Sequence, residues 1–245
     1  MLKILAYPLS VLFFLCFGLL LVLFHPIQWL CLNVFGYQTH KTSVDWLQFV
    51  LMRATNILGT RYTFINKQDI PTSVPLIIVA NHQSMYDIPP IIWYMRKHHP
   101  KFISKKELGK GIPSVSYNLR HGGSVLIDRK DAVQSLKAIK EFGTKMSENN
   151  WSAVIFPEGT RSRTGAPKPF KTKGLETLLA TMPNALVVPL SINNSWKLLK
   201  YGKFPMGLGA HLKFTVHKPI AVSAMDTHDL IAYVEATVKQ GLNTE

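Results

Sequence analysis

The longest apolar segment of the chain lies at its N-terminal end. Residues 4–40 contain no Asp, Glu, Lys or Arg, and the stretch from Ile4 to Phe24 is almost entirely apolar. As a helix this stretch would be about 30 Å long, which matches the hydrocarbon core of a bilayer. The apolar segment Pro26–Tyr37 follows and is too short to cross a bilayer alone. The pattern predicts a membrane-inserted helical segment over residues 1–40.

This segment has alternative interpretations. A cleaved signal peptide is disfavoured, because the chain after the apolar run continues Phe-His-Pro-Ile-Gln-Trp without a small-residue cleavage site. A buried core helix is the other alternative, and the length and flanks of the run favour membrane insertion over it. The sequence leaves open whether the segment crosses the bilayer or dips into it as a two-helix hairpin.

From about residue 41, strand-like and helix-like patterns alternate. The strand-like patterns are Leu76–Ala80, Ser124–Ile127, Ser152–Phe156, Leu186–Ile192 and His211–His217. The helix-like patterns are Val44–Leu58, Ile88–Lys97, Asp131–Met146, Gly174–Met182 and Asp226–Leu242. Strands that alternate with helices predict an α/β domain over residues 41–245, in which helices flank a mostly parallel sheet.

Positive charge is concentrated in the middle of the chain. The protein has 28 Lys and Arg against 14 Asp and Glu, and 17 of the cations but only 6 of the acids lie between Arg96 and Lys173. Such an excess favours an anionic partner: nucleic acid, an anionic membrane surface or a phosphorylated small molecule. A membrane-tethered nucleic-acid-binding protein would use this region to follow phosphates. The chain has no zinc-ligand spacing and no RNA-recognition signature, so we expect no nucleic-acid partner.

Polar residues follow three of the predicted strands, where ligands bind in open α/β sheets. His82 follows the first, and Asp87 lies five residues further on, a pair suited to a positioned general base. Arg129 follows the second strand. Gly159 and Arg161 follow the third, and they offer close backbone approach and a planar fork suited to phosphate. Together these motifs predict an anion-binding catalytic site.

The motifs occur in an order typical of one family. They are His82–Asp87, Gly123–Arg129, the sequence Phe-Pro-Glu-Gly-Thr-Arg-Ser at Phe156–Ser162, and the proline-containing strand Val187–Leu190. On these residues the chain resembles the glycerolipid acyltransferases, and most closely the bacterial 1-acylglycerol-3-phosphate acyltransferases. The family's membrane-embedded N-terminal helices match residues 4–37.

The resemblance implies an O-acyltransferase of phospholipid biosynthesis. It would move a fatty acyl group from acyl-CoA or acyl carrier protein to the 2-hydroxyl of lysophosphatidic acid and give phosphatidic acid, with no metal or other cofactor. The implied roles are general base for His82, its partner for Asp87, phosphate binding for Arg129, Arg161 and Lys105, and shaping of the acceptor site for Glu158, Gly159 and Thr160. Glycerol 3-phosphate or another lysophospholipid is the alternative acceptor.

The remaining expectations concern location and chemistry. We expect an N-terminal anchor in a bacterial inner membrane, membrane lipid as a partner, and the catalytic domain on the cytoplasmic side. The chain has no Gly-x-Ser-x-Gly sequence, which disfavours an acyl-serine intermediate. His98 and His99, which follow Lys97, are predicted to lie on the surface.

Overall fold

A computed structural model describes residues 2–242 of the chain. The helices are α1 (Leu2–Phe35), α2 (Tyr37–Ala54), α3 (Ile88–Tyr94), α4 (Val115–His121), α5 (Ala132–Glu148), α6 (Thr172–Thr181) and α7 (Thr227–Gln240). The strands are β1 (Arg61–Ile65), β2 (Leu76–Ala80), β3 (Pro100–Lys105), β4 (Val125–Ile127), β5 (Ser152–Ile155), β6 (Leu186–Asn193), β7 (His211–Val216) and β8 (Ile220–Ala221).

The strands form one sheet in the order β1-β7-β6-β2-β5-β3-β4, with β8 paired to β6. The five strands from β6 to β4 are parallel to one another, whereas β7 and β8 are antiparallel to β6. The predicted α/β fold with a mostly parallel sheet is therefore confirmed. Because the five parallel strands point the same way, the segments after them meet at one edge of the sheet.

Strand β2 lies at the centre of the sheet and is buried on both faces. Leu76, Ile78 and Ala80 belong to a core shared with α1 and α3, whereas Ile77 and Val79 belong to a core shared with α5, α6 and α7. This two-sided burial explains why β2 is a continuous apolar run rather than an alternating one.

The N-terminal apolar segment is a single helix followed by a sharp turn. Helix α1 continues through Pro26 to Phe35, so this proline does not end it. Gly36 has a φ of 85°, which favours glycine, and leads directly into α2. The predicted domain boundary at residue 40 falls inside α2, and the division into two domains stays a prediction.

Helix α1 lies against the domain along most of its length. Near one end, the Met206 N–H donates to Ser10 Oγ at 2.7 Å, and near the other, Asn33 donates to the Tyr117 hydroxyl at 3.0 Å. The helix between Ser10 and Asn33 is about 35 Å long. The opposite side of α1 is apolar and exposed; Leu15, for example, is 67% exposed. Among residues 2–242, α1 is the one helix long and apolar enough to cross a membrane.

A cluster of aromatic and basic side chains joins α2 to the sheet. The His99 ring is stacked on the rings of Trp151 and Tyr37, with centroids 4.3 and 5.6 Å away. Lys101 Nζ lies 5.4 Å from the centroid of the Tyr37 ring and 5.5 Å from that of the Trp151 ring. His40 is fully buried, and within residues 2–242 neither of its ring nitrogens has a hydrogen-bond partner. The expectation of a surface position is therefore wrong for His99.

This cluster should make the fold less stable in mild acid. Burial, with the charges of Lys101 and His121, lowers the pKa of His40 to about 4, and burial with the charge of Lys101 lowers that of His99 to about 3. The unfolded chain takes up these two protons near pH 6.5, before the folded chain does. We therefore expect the free energy of unfolding to fall as the pH drops from about 6.5 towards 4, by up to about 1.4 kcal/mol per pH unit for each histidine.

Urea unfolding in detergent at pH 7 and pH 5 measures this loss. His40→Leu removes one of the two histidines and should reduce the difference in the free energy of unfolding between pH 7 and pH 5. His228→Leu is the matched control, because the His228 side chain is 93% exposed, and it should keep the wild-type difference. An undiminished pH difference in His40→Leu would contradict the assignment.

Candidate active site

The loop after β2 folds Asp87 back onto His82. Ser84 begins a short 3-10 helix, and its side chain accepts a hydrogen bond from the Tyr86 N–H at 3.1 Å. This turn brings Oδ2 of Asp87 to 2.8 Å from Nδ1 of His82. The five-residue spacing seen in the sequence therefore corresponds to direct side-chain contact.

The Asp87 carboxylate is fully buried and surrounded by donors. Besides the His82 ring, Oδ2 accepts from the backbone N–H groups of Gln83 at 2.8 Å and Ser84 at 3.0 Å. The other oxygen, Oδ1, accepts from the hydroxyls of Ser195 and, at 3.4 Å, Ser84. A carboxylate held in this way accepts the Nδ1 proton of a neutral imidazole, which leaves the lone pair of His82 on Nε2.

The His82 ring has one packed face and one accessible edge. It is stacked on Phe156 with a centroid distance of 4.1 Å, and its side chain is 12% exposed. Nε of Arg161 lies 3.4 Å from Nε2 of His82 and donates a long hydrogen bond to it. The nitrogen that carries the lone pair thus faces the cationic side of the site.

Backbone contacts join the loops after β2 and β5. The Ser162 N–H donates to the His82 carbonyl at 2.7 Å, and the His82 N–H donates to Oε1 of Glu158 at 3.2 Å. Burial raises the pKa of Glu158 to about 7, against the lowering effect of the His82 N–H. The backbone N–H and the charge of Lys168 also lower the pKa of Glu158, but less than burial raises it. Glu158 therefore fixes the backbone of His82 rather than its ring.

Cationic side chains gather beside this pair of loops. Arg129, after β4, donates to the Gly159 carbonyl at 2.5 Å, and burial together with the charge of Arg161 lowers its pKa. Lys168 donates to Oγ1 of Thr160 and to the Arg161 carbonyl, both at 2.9 Å. The site therefore holds several positive charges next to one imidazole, which suits an anionic substrate.

The structure brings most of the predicted site residues together. Lys105 ends β3 with an exposed side chain and is paired in register with Ile127, two residues before Arg129, so it lies at the same edge of the sheet. Sequence reasoning missed Ser195, although it closely follows β6 and the strand-end rule applies to it as well. The catalytic and substrate-binding roles of the residues stay predictions.

The arrangement has the geometry that a general base beside an anion-binding surface requires. Nε2 of His82 can accept a proton, and the buried Asp87 can stabilise the imidazolium that results. The described part of the chain contains no group of three or more His, Cys, Asp or Glu side chains arranged to hold a metal ion.

Known proteins similar to this chain identify its family. Residues 61–193, more than half of the chain, match the family model described as Acyltransferase. A 1-acyl-sn-glycerol-3-phosphate acyltransferase from Helicobacter pylori is 40% identical over 137 residues, which is 51% of this chain and 54% of that protein. The chloroplastic 1-acyl-sn-glycerol-3-phosphate acyltransferase BAT2 of Brassica napus is 31% identical over 160 residues, 65% of this chain and 45% of that protein.

The chain spans about half the length of these curated relatives. The agreement is longer for a solved structure, the crystal structure of the 1-acyl-sn-glycerophosphate (LPA) acyltransferase PlsC from Thermotoga maritima. It superposes with a TM-score of 0.82 and 27% sequence identity, over 98% of this chain and 96% of that one. The similarity therefore extends beyond the matched domain to the N-terminal helices.

Proposed function

The chain belongs to the acyltransferase family, and on this premise we propose that it transfers a fatty acyl group to the 2-hydroxyl of 1-acylglycerol 3-phosphate. The product is phosphatidic acid, and the donor is an acyl thioester of coenzyme A or of acyl carrier protein. The observation that carries the proposal is the His82–Asp87 pair, 2.8 Å apart, beside the guanidinium of Arg161. The relatives named as acyltransferases of the same lysophospholipid support the choice of acceptor.

The proposed reaction is a direct transfer without an acyl-enzyme. Nε2 of His82 takes the proton of the acceptor hydroxyl while the oxygen attacks the thioester carbonyl. The tetrahedral intermediate collapses, the carbon–sulfur bond breaks, and the imidazolium returns its proton to the leaving thiolate. Asp87 stabilises the imidazolium throughout. Backbone N–H groups or nearby cationic side chains stabilise the oxyanion.

The acceptor phosphate is proposed to bind the cations of the site. Arg161 and Arg129 lie on the loops after β5 and β4, and a guanidinium–phosphate contact is charge-assisted and often bidentate. Such contacts hold the 2-hydroxyl near His82 as well as attracting the substrate. Lys105 is the proposed third cation. Glu158, Gly159 and Thr160 would shape the walls around the acceptor.

A product assay on the purified full-length chain tests this function. We expect phosphatidic acid from lysophosphatidic acid with acyl-CoA or acyl-carrier protein as donor, and at least about tenfold slower acylation of monoacylglycerol, which lacks the phosphate. Faster acylation of glycerol 3-phosphate or of another lysophospholipid would replace the proposed acceptor. Salt-sensitive binding of nucleic acid without any acyl transfer would reject the enzyme assignment.

For the membrane, we propose that α1 lies in one leaflet instead of crossing the bilayer. A helix docked on its own domain over about 35 Å cannot also extend away from it through the hydrocarbon core. Its exposed apolar side would enter the lipid, as in other interfacial helices. Because both candidate donors are cytoplasmic carriers, we propose that the catalytic domain lies on the cytoplasmic side of a bacterial inner membrane.

Acidic substitutions on the outer side of α1 test the attachment. Leu15→Asp with Leu19→Asp, at positions 67% and 58% exposed, should move most of the protein from the membrane pellet to the soluble fraction, because each charge opposes lipid insertion. Val133→Asp on α5, at a position 80% exposed, is the matched control and should stay in the pellet. Retention of the double variant in washed membranes would reject α1 as the anchor.

A further inference from the structure

We propose that the Arg161 side chain masks the general base until the acceptor binds, and that the phosphate of the acceptor unmasks it by drawing the guanidinium away from His82. The inference rests on the proposed function, because it assumes that His82 accepts the proton of the acceptor hydroxyl. The phosphate of the acceptor then has two roles: it holds the substrate in the site, and it exposes Nε2 of His82 for proton transfer.

The mask follows from the geometry of the imidazole. Nδ1 of His82 is committed to Asp87 at 2.8 Å, so the neutral ring has one free lone pair, on Nε2. Nε of Arg161 donates to that lone pair at 3.4 Å. A general base must lie within about 2.6–3.2 Å of the hydroxyl that it deprotonates. The Arg161 side chain therefore occupies the position that the acceptor hydroxyl needs.

Only the Arg161 side chain has to move. Its backbone is fixed, because Lys168 donates to its carbonyl at 2.9 Å and the next N–H, that of Ser162, donates to the His82 carbonyl at 2.7 Å. The side chain itself is exposed, and no carboxylate in residues 2–242 pairs with it. A rotation of the side chain can then release Nε2 without disturbing the loop.

The phosphate supplies a much better partner than the imidazole. A phosphate brings an opposite charge and can accept two hydrogen bonds from the guanidinium, whereas the contact to Nε2 is a single, long hydrogen bond of 3.4 Å to a neutral acceptor. Arg129 lies close enough for the charge of Arg161 to lower its pKa, so an incoming anion also relieves repulsion between two cations. Both effects favour withdrawal of Arg161 from His82 when the phosphate arrives.

The consequence is a form of specificity that acts on the rate. An acceptor without a phosphate meets a base that is already hydrogen-bonded, and its turnover is slow even when it is bound. An acceptor with a phosphate contributes binding energy that is used to expose the base, and such energy appears in kcat. Arg161 would then reject uncharged acceptors through their turnover.

The masking by Arg161 is tested by supplying the acceptor as two separate molecules. Monoacylglycerol provides the hydroxyl and the acyl chain, and inorganic phosphite provides the dianion. With wild-type protein and a saturating acyl donor, we expect phosphite to increase monoacylglycerol acylation in a saturable manner by about fivefold or more, the rate equivalent of one released hydrogen bond. Chloride at the same ionic strength should give no such increase.

Arg161→Ala and Arg163→Ala are the matched pair, since both arginines are exposed on the same loop. Without the mask, Arg161→Ala should acylate monoacylglycerol several-fold faster than wild type in the absence of phosphite, and phosphite should not increase that rate. Arg163→Ala should reproduce the wild-type basal rate and its activation. A thermal unfolding curve confirms that each variant is folded, and Arg161→Gln replaces Arg161→Ala if the latter is not.

The possible outcomes distinguish rejection of the mask from rejection of the proposed function. If wild type acylates lysophosphatidic acid but phosphite leaves monoacylglycerol turnover unchanged, the mask is rejected and the proposed function stands. The mask is also rejected if Arg161→Ala acylates monoacylglycerol more slowly than wild type, because the arginine would then assist every acceptor. If wild type acylates no lysophospholipid with either donor, both the proposed function and the mask are rejected.

Discussion

His82→Ala should lower kcat with lysophosphatidic acid by about 10²–10⁴-fold, the usual contribution of a positioned general base. Among the residues that the structure describes, His82 is the one histidine with a buried carboxylate at Nδ1 and an Nε2 facing the cationic loop. KM should change much less, because the proposed phosphate contacts come from Arg129 and Arg161. A radiolabelled product assay over a range of acceptor concentrations separates the two constants.

The variant should remain folded. Asp87 loses one hydrogen bond but still accepts from the backbone of Gln83 and Ser84 and from the Ser195 hydroxyl, so its buried charge keeps partners. His228→Ala, on an exposed side chain, is the control and should retain wild-type kinetics. If His82→Ala kept a kcat within about threefold of wild type, general-base catalysis by this residue would be wrong.

The elements that the sequence predicts well are those whose burial is uniform or periodic. The run Leu76–Ala80 is strand β2 without a change of boundary, and the amphipathic pattern at Asp131–Met146 corresponds to α5. Both patterns follow from local burial. Strand β3 was missed, because it contains Lys101, which is buried between aromatic rings contributed by distant segments. A lysine in that environment cannot be distinguished from a surface lysine by its sequence neighbours.

The site likewise has features that follow from local sequence and features that depend on contacts between distant segments. The loops after β2, β4 and β5 could be predicted to converge, because the carboxyl ends of parallel strands share one edge. The contact of Ser195 with Asp87 spans 108 positions in the chain and depends on β6 lying next to β2, an order that the sequence pattern does not reveal. The hydrogen bond between Arg161 and His82 likewise depends on side-chain rotamers. Sequence motifs therefore identified most of the residues gathered here and the His82–Asp87 pair, but not the contact of Ser195 with Asp87 or that of Arg161 with His82.

Asp87→Asn is expected to have the second large effect, a fall in kcat of about 10²–10³-fold. The amide oxygen can replace Oδ2 and accept from His82 Nδ1 and the two backbone N–H groups, and the amide nitrogen can donate to the hydroxyls of Ser195 and Ser84. The hydrogen bonds and the tautomer are then retained, whereas the negative charge that stabilises the imidazolium is lost. Unfolding in urea should therefore change little while turnover collapses.

The double variant His82→Ala with Asp87→Asn decides whether Asp87 acts through His82. If the carboxylate works only by stabilising the imidazolium, it has nothing to act on once the imidazole is gone, and the double variant should be no slower than His82→Ala alone. Ser195→Ala on the wild-type background should cost about fivefold, because it removes one of the hydrogen bonds that hold the carboxylate in place. If instead the double variant lost the full product of the two single effects, Asp87 would contribute independently of the base, and the His82–Asp87 mechanism would have to be abandoned.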